Sequence, residues 1–170
     1  WKEASVEDKA QVRKELLKGY PLDALFANWD VVGRRIKNNV LIQNNIPWRI
    51  DNGGALKCRA QGGLKDDKYG KQVWGERMFP DDWIALRNYN PEAFGDFTAH
   101  EIWHAASEID FDDLVSKLPN HILTEPFLHC VSVMKDMAKT CQGLEAAGKT
   151  TEEISSALAA HYDELKASHV

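Results

Sequence analysis

Four short strings between positions 28 and 63 hold residue types from which an oxygen-rich cation and phosphate site can be built. They are Asn28-Trp29-Asp30-Val31-Val32-Gly33, Asn38-Asn39-Val40-Leu41-Ile42, Arg49-Ile50-Asp51-Asn52-Gly53-Gly54 and Arg59-Ala60-Gln61-Gly62-Gly63. An acid, Asp30, is followed nine positions later by an amide, Asn39, and a later run delivers a second acid, Asp51, into a glycine pair. Carboxylate and carboxamide oxygens are hard ligands of the kind Mg²⁺ accepts, with phosphate oxygens and water filling its other positions. Lys57, Arg59 and Lys65 flank Gly62-Gly63, where cationic side chains and glycine N–H groups can hold phosphate oxygens. A solvated basic loop is the equal alternative for that stretch.

Two short strands must position these residues. Val40 to Gln43 and Pro47 to Asp51 are rich in β-branched and aromatic side chains, and Asn44-Asn45 between them tolerates the left-handed backbone of a tight hairpin turn. Antiparallel pairing sets the start of the first strand beside the end of the second, so Asn39 should lie near Asp51. Asp30, in a loop closed by Gly33, can fold back over the same edge. Trp29 and Trp48 have the shape to stack on an adenine and are equally suited to a core; Tyr69 and Trp74 are ambiguous in the same way.

Asp30 with Asn39, then Ile50-Asp51-Asn52-Gly53, resembles the catalytic loop and metal-binding loop of kinase-like folds, in the divergent form of the HipA-like and phosphoinositide-kinase-like branches. The longer string NWDVVG, NNVLI, RIDNGGAL and RAQG is also similar to a module of phage-encoded proteins and of secreted effectors of intracellular bacteria. The resemblance covers about a fifth of the chain closely. It implies a bound purine nucleotide (ATP, ADP or AMP) with Mg²⁺, Asp30 as base or acceptor-orienting acid, Asn39 as secondary metal ligand and Asp51 as principal one. It also implies an effector or virulence setting, with a host protein as partner. The acid-to-amide spacing is longer than in H-R-D-x-x-x-x-N, and Asn52 stands where D-F-G has its aromatic, so binding is the expectation and phosphotransfer an open one. No glycine-rich flap precedes Asp30, and the start at Trp1 favours a domain excised from a longer protein.

A rival site lies further on. His100-Glu101-Ile102-Trp103-His104 is a literal H-E-x-x-H, which on a helix sets two imidazoles one turn apart with a glutamate placed to activate zinc-bound water. A zinc hydrolase is therefore the alternative reading, with Asp110 or Glu125 as candidate third ligand. Thr98 and Glu101 also have the spacing of a helix capping box, which explains the glutamate without a metal. With neither third ligand well placed, no stoichiometric zinc is expected. A helical interaction module with a vestigial nucleotide site is the third option.

The chain of 170 residues, 44% hydrophobic, suits one domain over 1–170 with a real core. A net charge of -5 argues against a nucleic-acid-binding face, which needs clustered cations. Cys58, Cys130 and Cys141 are odd in number and lack C-x-x-C spacing, so reduced thiols and a cytoplasmic setting, or a host cytosol after export, are expected. No apolar run of about 20 residues predicts a membrane span, and a monomer is expected. The fold class is α+β and mostly α-helical, a short β-hairpin packed on a helical bundle like a kinase large lobe. Helices are expected from Ser5 to Leu17 with Gly19 as a stop, over Asp81 to Asn88, Thr98 to Glu108, Asp112 to Leu118 and Glu125 to Ala147, and after a capping box at Thr150. Phe127, Leu128, Val131, Met134, Met137 and Ala138 read as core on the long helix.

Overall fold

The structure, a computed structural model, describes residues 4–28, 30–32, 39–56, 86–88 and 90–168. It is a mostly helical α+β fold. Among these residues the elements are α1 (Val6–Leu25), β1 (Val40–Gln43), β2 (Ile46–Arg49), α2 (Pro91–Phe94), α3 (Ala99–Ser107), α4 (Phe111–Lys117), α5 (Glu125–Ala146) and α6 (Thr151–Ala167). Residues 86–88 add one helical turn.

Side-chain oxygens set most helix starts. Ser5, Thr98, Asp110, Thr124 and Thr150 each accept a backbone N–H from the first turn of the helix that follows. At α3 and α6 a glutamate at the third helical position reaches back to the cap, completing the two capping boxes expected from sequence. Gly148, with φ of 70°, ends the α5 turn in the left-handed conformation that glycine adopts without a Cβ penalty.

Helix α1 departs from expectation: it runs on through Gly19 and Pro21 to Leu25. Tertiary packing overrides both breakers. Tyr20, Ala24 and Leu25 are fully buried, and a Cβ at Gly19 would come within 2.7 Å of the Arg49 guanidinium, so the glycine makes room for a side chain arriving from β2.

The core lies between the helices. Helix α3 is its centre, packed against α1, α5 and α6, with Ile102, Trp103 and Ala106 wholly buried. Tyr20 meets Phe94 edge-on at 5.1 Å, Phe26 stacks on Phe127 at 5.9 Å, and Met134, Met137, Ile154 and Leu158 are buried in the same cluster as Trp103. Phe127, Val131, Met134, Met137 and Ala138 are buried as expected for a core stripe, whereas Leu128, beside Phe127 on the helix, turns outward and is 41% exposed. Cys130 and Cys141 are buried on α5, neither of them in a disulfide. Among the described residues no helix is long and apolar enough to cross a membrane.

The hairpin has the expected two-residue turn. Asn44 and Asn45 take φ of 53° and 60°, and the register sets Val40 opposite Arg49 and Gln43 opposite Ile46. The second strand is shifted slightly, covering Ile46–Arg49 rather than Pro47 to Asp51. The hairpin docks on α1 through polar contacts. Arg49 donates from Nε to both oxygens of Asp23, at 3.1 and 2.8 Å, and from Nη2 to the Leu16 carbonyl at 3.2 Å, while Asn45 donates to Asp8 at 2.6 Å. Trp48 is 55% exposed, so it is not a core residue; Trp29, Tyr69 and Trp74 lie outside the described residues.

Candidate functional site

The loop after α1 and the loop after β2 are joined side by side. Leu56 N–H donates to the Phe26 carbonyl at 2.7 Å, and Ile50 N–H to the Asn39 carbonyl at 3.0 Å, extending the hairpin ladder by one bond. The hairpin therefore sets Asn39 opposite Ile50, with Asp51 the next residue along. Asn39 is buried, and its Nδ2 donates to the backbone carbonyl of Asp30 at 2.6 Å. A carbonyl only accepts, so this contact assigns the amide: the nitrogen is engaged and Oδ1 is the other end of the fork. No described residue hydrogen-bonds that oxygen.

Gly54 closes the arrangement from the other side. A Cβ there would lie 2.9 Å from Asp30 Cβ and 3.7 Å from Asn28 Oδ1, so only glycine fits without displacing Asp30. Asp51 is exposed; its Oδ1 accepts from Gly53 N–H at 2.8 Å, leaving its second oxygen without a hydrogen bond among the described residues. Lys57, Arg59, Gly62, Gly63 and Lys65 lie outside the described residues, following Leu56 in sequence.

Beneath these loops is a polar network that motif reading did not find. Buried Asn28 donates from Nδ2 to Asp23 Oδ1 at 3.2 Å and to Asn52 Oδ1 at 3.1 Å, and its own Oδ1 is buried with no partner. Burial pushes the Asp23 carboxyl above its usual range, although Arg49 and Asn28 pull the other way. The available signal was Asp23 itself, an acid on the inner face of α1 at helical spacing from Leu16 and Tyr20, where a carboxylate demands a partner.

The H-E-x-x-H helix is organised differently from the zinc-hydrolase reading. Glu101 accepts from Thr98 N–H at 2.8 Å and from Thr98 Oγ1 at 2.9 Å, and its own N–H donates back to Thr98 Oγ1 at 3.1 Å. It is a capping residue. Neither Asp110, which caps α4, nor Glu125, in the first turn of α5, meets the two histidines. The acid that does is Glu145, at the far end of α5, whose Oε1 lies 2.7 Å from both His100 Nε2 and His104 Nδ1. Cys141, one turn before it, sets its Sγ within 4.8 Å of the His100 and Glu145 ligand atoms.

Burial alone would raise the Glu145 carboxyl, but the hydrogen bonds and charges of His100 and His104 hold it below its usual range. Burial and then the neighbouring Glu145 charge push the Cys141 thiol up to about 12. No local spacing could have paired residues 41 apart on two helices, but Cys141 and Glu145 at i, i+4 was a readable pattern. No family model matches the chain, and no curated protein or solved structure matches it significantly.

Proposed function

We propose that the site formed by the loops around Asp30, Asn39 and Asp51 binds a purine nucleotide together with Mg²⁺, in the manner of a kinase-like fold. The observation that carries this reading is the Asn39 contact: an amide whose nitrogen is tied to the Asp30 carbonyl leaves its oxygen as a neutral hard donor, on a strand whose partner runs on into Asp51. The donor set suits Mg²⁺, which takes one or two carboxylates and leaves its other positions to phosphate and water. The unpartnered Asn28 Oδ1 and the missing Cβ at Gly54 further support a loop pair shaped around a polar ligand.

Bound there, Mg²⁺ would neutralise phosphate charge and draw the nucleotide into one orientation. The chain's own residues do the rest. Asp51 supplies the anionic oxygen, Asn39 holds the Asp30 loop in place, and Asp30 orients an acceptor hydroxyl if phosphoryl transfer follows. Lys57, Arg59 and Lys65 with the Gly62-Gly63 backbone are the proposed phosphate contacts, on sequence grounds. Zinc-dependent hydrolysis is the weaker reading, because Glu101 is committed to the α3 cap on both sides.

The roles separate on substitution. Asp51→Asn should weaken Mg-ATP binding at least about tenfold, or ~1.4 kcal/mol, and more than Asp30→Asn does. Titration calorimetry that finds both variants binding as tightly as the parent would remove the site assignment; loss in Asp30→Asn alone would reverse the roles.

A further inference from the structure

Two side-chain pairs face each other across the α3–α5 contact, away from the nucleotide loops. His100 and His104 are one turn apart on α3; Cys141 and Glu145 are one turn apart on α5. Both imidazoles lie 2.7 Å from the same Glu145 oxygen, and the ligand atoms of His100, Cys141 and Glu145 lie within 4.8 Å of one another. Nitrogen, nitrogen, sulfur and oxygen make a donor set that favours a borderline metal over Mg²⁺ or Ca²⁺.

We infer that His100, Cys141 and Glu145, joined by His104 as it turns from its Glu145 hydrogen bond, form a four-ligand site for Zn²⁺ that clamps α3 to the C-terminal end of α5. Such a site is structural. All four positions come from the protein, whereas a catalytic zinc keeps one open for water, and the glutamate that would activate that water caps the helix. Glu145 is the donor that the sequence expectation of no zinc lacked. Zinc bonds of about 2.0–2.1 Å would hold the nitrogen and oxygen donors about 3.3 Å apart, so loading opens the 2.7 Å contacts by roughly half an ångström. Loading also displaces the Cys141 thiol proton to solvent, since the thiolate is the ligand.

The inference is independent of nucleotide binding and is tested without it. Chelator-treated protein is titrated with Co²⁺ as a coloured stand-in for Zn²⁺, and then with Zn²⁺ in competition. One equivalent of Co²⁺ should give tetrahedral visible bands together with a near-ultraviolet thiolate-to-cobalt band, and Zn²⁺ should bleach both. Cys141→Ser should abolish the thiolate band. His104→Ala, at a half-exposed position that folding should tolerate, and Glu145→Gln should each weaken binding by more than about 100-fold. Zinc at a hundredfold excess over Kd should raise the thermal midpoint by roughly 5–10 °C. Absence of the cobalt bands, a spectrum without the thiolate band, or undiminished binding by His104→Ala would each overturn the site. Asp51→Asn should leave the cobalt spectrum unchanged.

Discussion

Arg49 and Asp23 show how a single residue ties the candidate site to the bundle. The guanidinium crosses over Gly19 and satisfies a carboxylate that is only 5% exposed, so removing it strands a buried charge. Arg49→Met should destabilise the fold by about 3–5 kcal/mol near neutral pH. The pH dependence has a definite sign. Burial already raises the Asp23 carboxyl, and losing Arg49 removes the charge that opposes the rise. A carboxyl raised in the folded state is no burden below its unfolded value and becomes one as pH climbs through the folded value. Urea unfolding of the variant at pH 5 and pH 8 should thus show the larger deficit at pH 8; equal deficits would mean that Asp23 stays ionised without its partner. Gly54→Ala is the complementary probe of crowding, expected to cost about 1–3 kcal/mol because its Cβ meets Asp30 at 2.9 Å. At this scale the sequence made the Asn44-Asn45 turn and the pairing that puts Asn39 opposite Ile50 legible. Asn28, Asp23 and Glu145 escaped because Asn52, Arg49 and the two histidines that meet them are far along the chain, and no local pattern encodes the register between packed elements.

Elements were the most readable layer wherever a side-chain cap announced them. Thr98 with Glu101 and Thr150 with Glu153 gave the starts of α3 and α6 to the residue. The end of α1 was misread because Gly19 and Pro21 weaken a helix locally by an amount that burial of Tyr20, Ala24 and Leu25 outweighs. The α6 capping box carries its own pH signature. The Glu153 carboxyl is held below its ordinary 4.5 chiefly by the Thr150 backbone N–H, then by Lys149. Its contribution is complete above that ordinary value and disappears as pH falls through the lower, folded value. Glu153→Gln should therefore flatten the acid limb of a thermal-stability profile below the ordinary value of 4.5 and leave the neutral plateau nearly unchanged. A variant with an unaltered acid limb would show that the box does not stabilise α6.

At the scale of the whole molecule, α3 is the element on which the others depend, touching α1, α5 and α6 with a face that has no exposed surface at Ile102, Trp103 and Ala106. Their amides should exchange with deuterium only through global unfolding, while those of the Asp51 to Leu56 loop exchange far faster. Slow-phase exchange in both would contradict a core centred on α3. That the chain is mostly helical with one hairpin could be read from periodicity and turn chemistry; which helix is central could not, because burial depends on how amphipathic faces are shared among neighbours. The hairpin's polar attachment to α1 holds the loops around Asp30 and Asp51, and the central proposal is that those loops bind a nucleotide through Mg²⁺. Titration calorimetry of the parent protein with ATP, ADP and AMP, with Mg²⁺ and then with excess chelator, tests it most directly. Saturable ATP or ADP binding that is lost on removing Mg²⁺ is the predicted result; no binding, or binding that Mg²⁺ does not alter, would contradict it.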